Sequence, residues 1–89
     1  MKKTTKKQIR LMYFHANWDG TRKMKDLLFG LCKEHGYWLD SVDCESKEGV
    51  FLSRYHEVKL CPYILVFKGD KEIKRGVAQE VIKDVFGEY

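Results

Sequence analysis

The sequence has no Cys-X-X-Cys pair, a single proline, no internal repeat and no apolar run of membrane-spanning length. Its three cysteines, Cys32, Cys44 and Cys61, are an odd number at wide spacings. That pattern argues against a disulfide framework and for a reducing, cytoplasmic setting. His15, His35 and His56 are too scattered to compose a metal site, so neither metal nor cofactor is expected. The start does not read as a secretory leader, because the apolar stretch after the first lysines is short, is broken by Arg10 and lacks a small-residue cleavage site. Nor is there room for a second domain: a chain of 89 residues buries only about 60–65% of the surface it can expose.

One-signed charge is confined to the beginning. Lys2, Lys3, Lys6 and Lys7 account for the whole net charge of +4, since the other Lys and Arg residues balance the 13 Asp and Glu. Residues 1–8 therefore read as a basic flexible tail and residues 9–89 as an electrically neutral domain. No aromatic or amphipathic pattern accompanies those lysines, so nucleic acid and membrane surfaces are not the expected partners.

What is present is a chain with enough apolar side chains for a core, 44% of residues, arranged in short periodic segments. Ile9 to Phe14 is dense in strand-favouring residues with one charge, as a strand covered on both faces would be. Met24, Leu27, Leu28, Leu31, Cys32 and His35 then fall on one helical stripe, closed by Gly36 as a left-handed cap. Tyr37 to Asp43 reads as a second strand whose charges suit a sheet edge, joined to the first by a right-handed crossover. Ser46 is a candidate N-cap for a helix through about Tyr55, with Glu48 in its first turn; Gly49 counts against that helix. Tyr63 to Phe67 is continuously apolar, Gly69-Asp70 forms a two-residue hairpin turn, and Lys71 to Arg75 returns as a polar edge strand. Val81, Ile82, Val85 and Phe86 make the stripe of a closing helix. The predicted order is βαβαββα, an α/β fold with a four-stranded mixed sheet and three helices. Chemistry in such sheets gathers beyond the carboxyl ends of the parallel strands, where helix starts expose backbone N–H groups.

The residues at that junction carry a resemblance. Phe14-His15-Ala16-Asn17-Trp18-Asp19-Gly20-Thr21-Arg22-Lys23 resembles the active-site segment of the thioredoxin family, whose pattern there is Trp-Cys-Gly-Pro-Cys-Lys. Val58 to Gly69 resembles the family's cis-proline block, with Pro62 as the cis-proline and Gly76 as the glycine that ends the last strand. The likeness runs from about residue 9 to the end, and the region from Cys44 to Glu57 matches only loosely. It implies the minimal thioredoxin-like core, without the strand and helix that longer members place first. It also implies that Asp19 and Arg22 stand where both redox cysteines belong, so that the dithiol mechanism is lost.

Each candidate has a structural reading beside the functional one. Asp19 reads as a helix cap rather than a catalytic carboxylate, a role worth about 1 kcal/mol over alanine. Arg22 and Lys23 oppose the helix dipole unless Asp19 or a docked anion compensates. Trp18 and His15 read equally as packing residues. Cys32, on an apolar helical face, reads as inert core. The resemblance places Cys61 immediately before the cis-proline and opposite the Asp19–Arg22 segment, where it is either a partly buried apolar side chain or a reactive thiol. Cys44 follows the second strand at the same end of the sheet, so a Cys44–Cys61 bridge is conceivable, but sequence supplies no distance and the pairing is not the expectation. The resulting expectation is a redox-inactive module that binds a protein or peptide partner in a groove lined by Trp18, Asp19, Gly20, Thr21, Arg22, Cys61, Pro62 and Tyr63. The alternative is a monothiol redox protein using Cys61, through thiol exchange or a glutathione mixed disulfide.

Overall fold

The computed structural model describes residues 8–16 and 19–87, and only the backbone of Asp19 and Thr21. The expected basic tail lies outside that range except for Gln8, as does Trp18. Elements follow in the order β1 (Ile9–His15), α1 (Asp19–His35), β2 (Trp38–Asp43), α2 (Lys47–Tyr55), β3 (Tyr63–Lys68), β4 (Lys71–Val77) and α3 (Ala78–Phe86). The sheet order is β2-β1-β3-β4, with β1 parallel to β2, β3 antiparallel to both its neighbours, and β2 and β4 at the edges. This is the mixed sheet predicted above.

Side chains alternate across a strand, so a strand in the middle of a covered sheet must be apolar on both faces. β1 meets that demand. Leu11 and Tyr13 point to one side, where they meet Leu28, Leu31 and Cys32 of α1 and Val81 and Ile82 of α3. Met12 and Phe14 point to the other, against Val42, Val58, Leu65 and Phe67, with Leu52 of α2 packed alongside. Tyr13 and Phe14 are both fully buried. Helices α1 and α3 therefore cover one face, and α2 with the connector to β3 covers the other.

Gly36 and Gly69 take the left-handed φ of 74° and 65° that ends α1 and turns β3 into β4. Strand β4 continues past Arg75, because Gly76 still pairs with Ile64 and Val77 with Tyr63. Helix α3 then starts at once.

The start of α2 explains a glycine that helix propensity counts as a fault. Ser46 caps the helix by accepting from the Gly49 N–H at 2.9 Å, and its own hydroxyl donates to the Asp43 carbonyl at 2.8 Å. This pulls the first turn of α2 flush against the end of β2. A Cβ built on Gly49 would overlap the Asp43 carbonyl group. Backbone cannot move aside as a flexible side chain can, so only glycine permits this approach. Gly49→Ala should lower the unfolding free energy by about 2 kcal/mol despite its better helix propensity. Urea unfolding checks this, and an unchanged midpoint would contradict the packing argument.

Candidate functional site

The topology brings three strand ends to one edge of the sheet. β1 and β2 leave it at His15 and Asp43, which are register partners, and β3 enters beside them at Tyr63, opposite Phe14. Cys44 follows β2 directly, its N–H donating to the His15 carbonyl at 2.8 Å. Cys61 and Pro62 lead into β3, joined by a cis peptide bond, and the Pro62 carbonyl accepts from the Ala78 N–H at 3.2 Å. Cys44 and Cys61 are joined across this edge by a disulfide that links residues 17 apart in sequence. Their Cα atoms stand 7.6 Å apart, just beyond the span of most such bridges. Cys61 is exposed, whereas Cys44 is half-buried and packs against the Leu65 and Phe67 cluster.

No family model and no curated protein matches the sequence. Solved structures do match. Thioredoxin f2 of Chlamydomonas reinhardtii superposes with a TM-score of 0.72 at 14% identity, over 96% of this chain and 85% of that one. Fasciola hepatica thioredoxin gives 0.72 at 20% identity, covering 94% and 84%. Thioredoxin-2, described as a component of the malaria parasite protein secretion machinery, gives 0.68 at 24% identity, covering 96% and 87%. The fold is thioredoxin-like. At these identities the likeness establishes architecture, and the chemistry must come from this chain's own residues.

Within the thioredoxin-like fold the expectation of a site stripped of its sulfur pair is corrected. A cysteine pair is present, Cys44 with Cys61, drawn from the β2–α2 loop and the residue before Pro62. The reading of the two as unpaired is overturned with it, and so is the argument against disulfides from an odd cysteine count. The physical reason is that sequence spacing hides what parallel pairing of β1 with β2 and antiparallel pairing of β1 with β3 bring together. Cys61 is also more exposed than the packing reading allowed.

The remaining candidates distribute unevenly. Gly20, Arg22 and Lys23 lie exposed on the first turns of α1, Pro62 and Tyr63 are half-buried at the mouth of β3, and the side chains of Trp18, Asp19 and Thr21 lie outside the described residues. Cys32 is buried in the core, and burial pushes its thiol up to about 11, as an inert core cysteine requires. His15 stacks on Tyr13 at 5.4 Å between ring centroids, and its Nε2 lies 2.8 Å from the Ser41 hydroxyl.

The Cys44 side of the bridge is held by the backbone. Asp43 accepts the Glu45 N–H on its carboxylate at 2.9 Å, and its carbonyl accepts the Ser46 N–H at 3.1 Å. The Cys61 side is held by a residue that sequence reasoning missed. From β4, Arg75 donates Nη2 to the His56 carbonyl at 2.9 Å and Nη1 to the Glu57 carbonyl at 3.3 Å. Its Nε and Nη2 grip the two Glu72 carboxylate oxygens at 2.6 and 2.9 Å. The guanidinium hydrogen bond holds the Glu72 carboxyl below its ordinary range, and Glu72 in turn raises Arg75. No motif or periodicity marks this role of Arg75, because besides Glu72 its partners are main-chain carbonyls distant in sequence.

His56 ends α2 with its ring edge-on to Phe14, Tyr55 and Phe67, at centroid distances of 6.3, 4.9 and 6.0 Å. Burial lowers its pKa and outweighs the opposing pull of Glu72, with Arg75 and Arg10 adding to the lowering. The unfolded chain thus binds this proton more readily than the folded one, so stability is full above about pH 6.5 and declines as pH falls below it. Urea unfolding between pH 7.5 and 5.5 should show this decline, with a flatter profile in His56→Gln. A variant profile as steep as the parent's would assign the decline to other groups.

Closing a loop of this length in the unfolded chain corresponds to about 3 kcal/mol. Reduction by a phosphine should therefore lower the unfolding free energy by about that amount, while Cys44→Ser should be indifferent to reductant. Equal stability of oxidised and reduced parent would remove the bridge from the energetics.

Proposed function

We propose that this chain is a thiol–disulfide exchange domain working through Cys44 and Cys61, with Cys61 as the sulfur that meets the substrate. The observation that carries the reading is the asymmetry of the bridge: one sulfur belongs to an exposed residue beside Pro62, and the other to a half-buried residue fixed by backbone hydrogen bonds. Exchange requires a thiolate to reach a disulfide sulfur, so access selects Cys61.

In the oxidising direction a substrate thiolate attacks the Cys61 sulfur, forming a mixed disulfide and releasing Cys44 as thiolate. A second substrate thiolate then attacks the substrate sulfur of that mixed disulfide and releases Cys61. The substrate dithiol has become a disulfide, the protein disulfide a dithiol, and no other oxidant is consumed. The reverse sequence reduces a substrate disulfide, with Cys44 as the thiol that resolves the intermediate. A cytoplasmic setting is part of this proposal, since bridges there form transiently and exchange with the glutathione pool.

The substrate is an extended protein or peptide segment lying between the start of α1, at Gly20 and Arg22, and the Cys61–Tyr63 entry to β3. The carbonyl of Pro62 is already taken by Ala78, which leaves pairing with the substrate backbone to the main chain of Cys61. Peptide binding is thus the first step of exchange rather than the whole of the function.

Single-cysteine variants test this. Cys44→Ser should trap a cysteine peptide disulfide as a stable mixed disulfide at Cys61, identified by mass spectrometry. Cys61→Ser should form its adduct at Cys44 at least about tenfold more slowly. Equal rates, or no adduct at Cys61, would defeat the assignment.

A further inference from the structure

The Arg75 contacts lie upstream of the substrate-facing cysteine. The guanidinium holds the carbonyls of His56 and Glu57, which begin the connector that leads to Cys61. Glu57 is the one described non-glycine residue with a left-handed φ, 58°, a conformation that costs a side-chain-bearing residue unless its surroundings enforce it. Its carbonyl is one of those that Arg75 grips. Beyond Glu57 the connector is held by Val58, buried in the core with its N–H donating to the Ser53 carbonyl at 2.8 Å, by Pro62, bonded to Ala78, and by the bridge itself, while Lys59, Leu60 and Cys61 are exposed. Helix α2 is itself largely exposed, with Gly49 its sole buried residue and Phe51 and Tyr55 65% and 71% exposed.

We propose that Arg75, braced by Glu72, is a positioning residue for the exchange pair: by holding His56 and Glu57 it fixes the start of the connector that carries Cys61 into β3 and so sets the effective concentration of Cys61 toward Cys44. This rests on the reading of those cysteines as the exchanging pair. The Glu72–Arg75 pair is about a third exposed on each side, so by itself it is a weak stabiliser. Its importance lies in the fork geometry, which aims the remaining donors at two successive carbonyls and which lysine cannot reproduce. Holding two reacting groups in register raises their effective molarity, and here that quantity governs how readily a thiol pool opens the bridge.

The test equilibrates the full chain with mixtures of glutathione and glutathione disulfide, quenches with an alkylating agent and counts the free thiols. The equilibrium is protein disulfide plus two glutathione thiols against protein dithiol plus one glutathione disulfide. The bridge should open about tenfold more readily in Arg75→Met than in the parent, with Arg75→Lys close to Arg75→Met and Glu72→Gln intermediate. A lower melting temperature with an unchanged equilibrium constant would show a purely structural residue and overturn the proposal. Should Arg75→Met fail to fold, Glu72→Gln decides alone: a constant within about twofold of the parent's overturns the proposal. The constant involves only the chain's own thiols and glutathione, so an unchanged value leaves substrate exchange standing. A failed peptide-exchange assay likewise leaves the positioning result standing, whereas a parent that forms no Cys44–Cys61 bond in any mixture defeats both.

Discussion

Burial of β1 on both faces governs the rest of the molecule. With Tyr13 and Phe14 both sealed from water on opposite sides, a register slip of one residue would exchange the two hydrophobic sets and misfit both. The strand is therefore locked between β2 running parallel and β3 running antiparallel. Opposite chain directions on its two flanks mean that the exit of β2 and the entrance of β3 share an edge. Cys44 and Cys61 occupy those two points. Their meeting follows from sheet topology before any local chemistry acts, and the local contacts then decide how closely and how firmly they are held.

Those local contacts are divided between the two ends of α2. At its start, the Ser46 cap and the closeness allowed by Gly49 fix the chain around Cys44. Just past its end, Arg75 holds the carbonyls of His56 and Glu57, placing a cation at the helix C-terminus, where the dipole favours it. Between these ends the helix is largely exposed, with Phe51 and Tyr55 stacked on each other at 6.2 Å on its outer face. The disulfide, the cap and the arginine thus do for α2 what a broad buried face does for α1 and α3.

The sequence made the elements legible because their signals are local. Apolar alternation and helical stripes marked the strands and helices, Gly36 and Gly69 marked their ends, and Ser46 marked a cap that the structure places where it was predicted. The site was legible only as a location. The resemblance drew attention to the start of α1, where the expected sulfur is missing, and away from a pair assembled from separate loops. Nothing in the spacing of Cys44 and Cys61 encodes their approach, since it depends on strand order. Gly49 was misleading for a related reason: propensity scores the helix it sits in, while its value lies in what the helix rests against. Arg75 offered a nearby Glu72 as a partner, but its hold on the chain before Cys61 left no signal, because main-chain carbonyls present no complementary residue to recognise.

The length of the cysteine-bounded loop has a consequence of its own. In a Cys-X-X-Cys turn the sulfurs are neighbours whether or not the surrounding chain is folded. Here a whole helix and a strand crossing separate them, and they become mutual neighbours only when the sheet is assembled. Formation of the bond is thus conditional on tertiary structure: a reduced and denatured copy holds three thiols with no fixed partner, and only folding makes two of them neighbours.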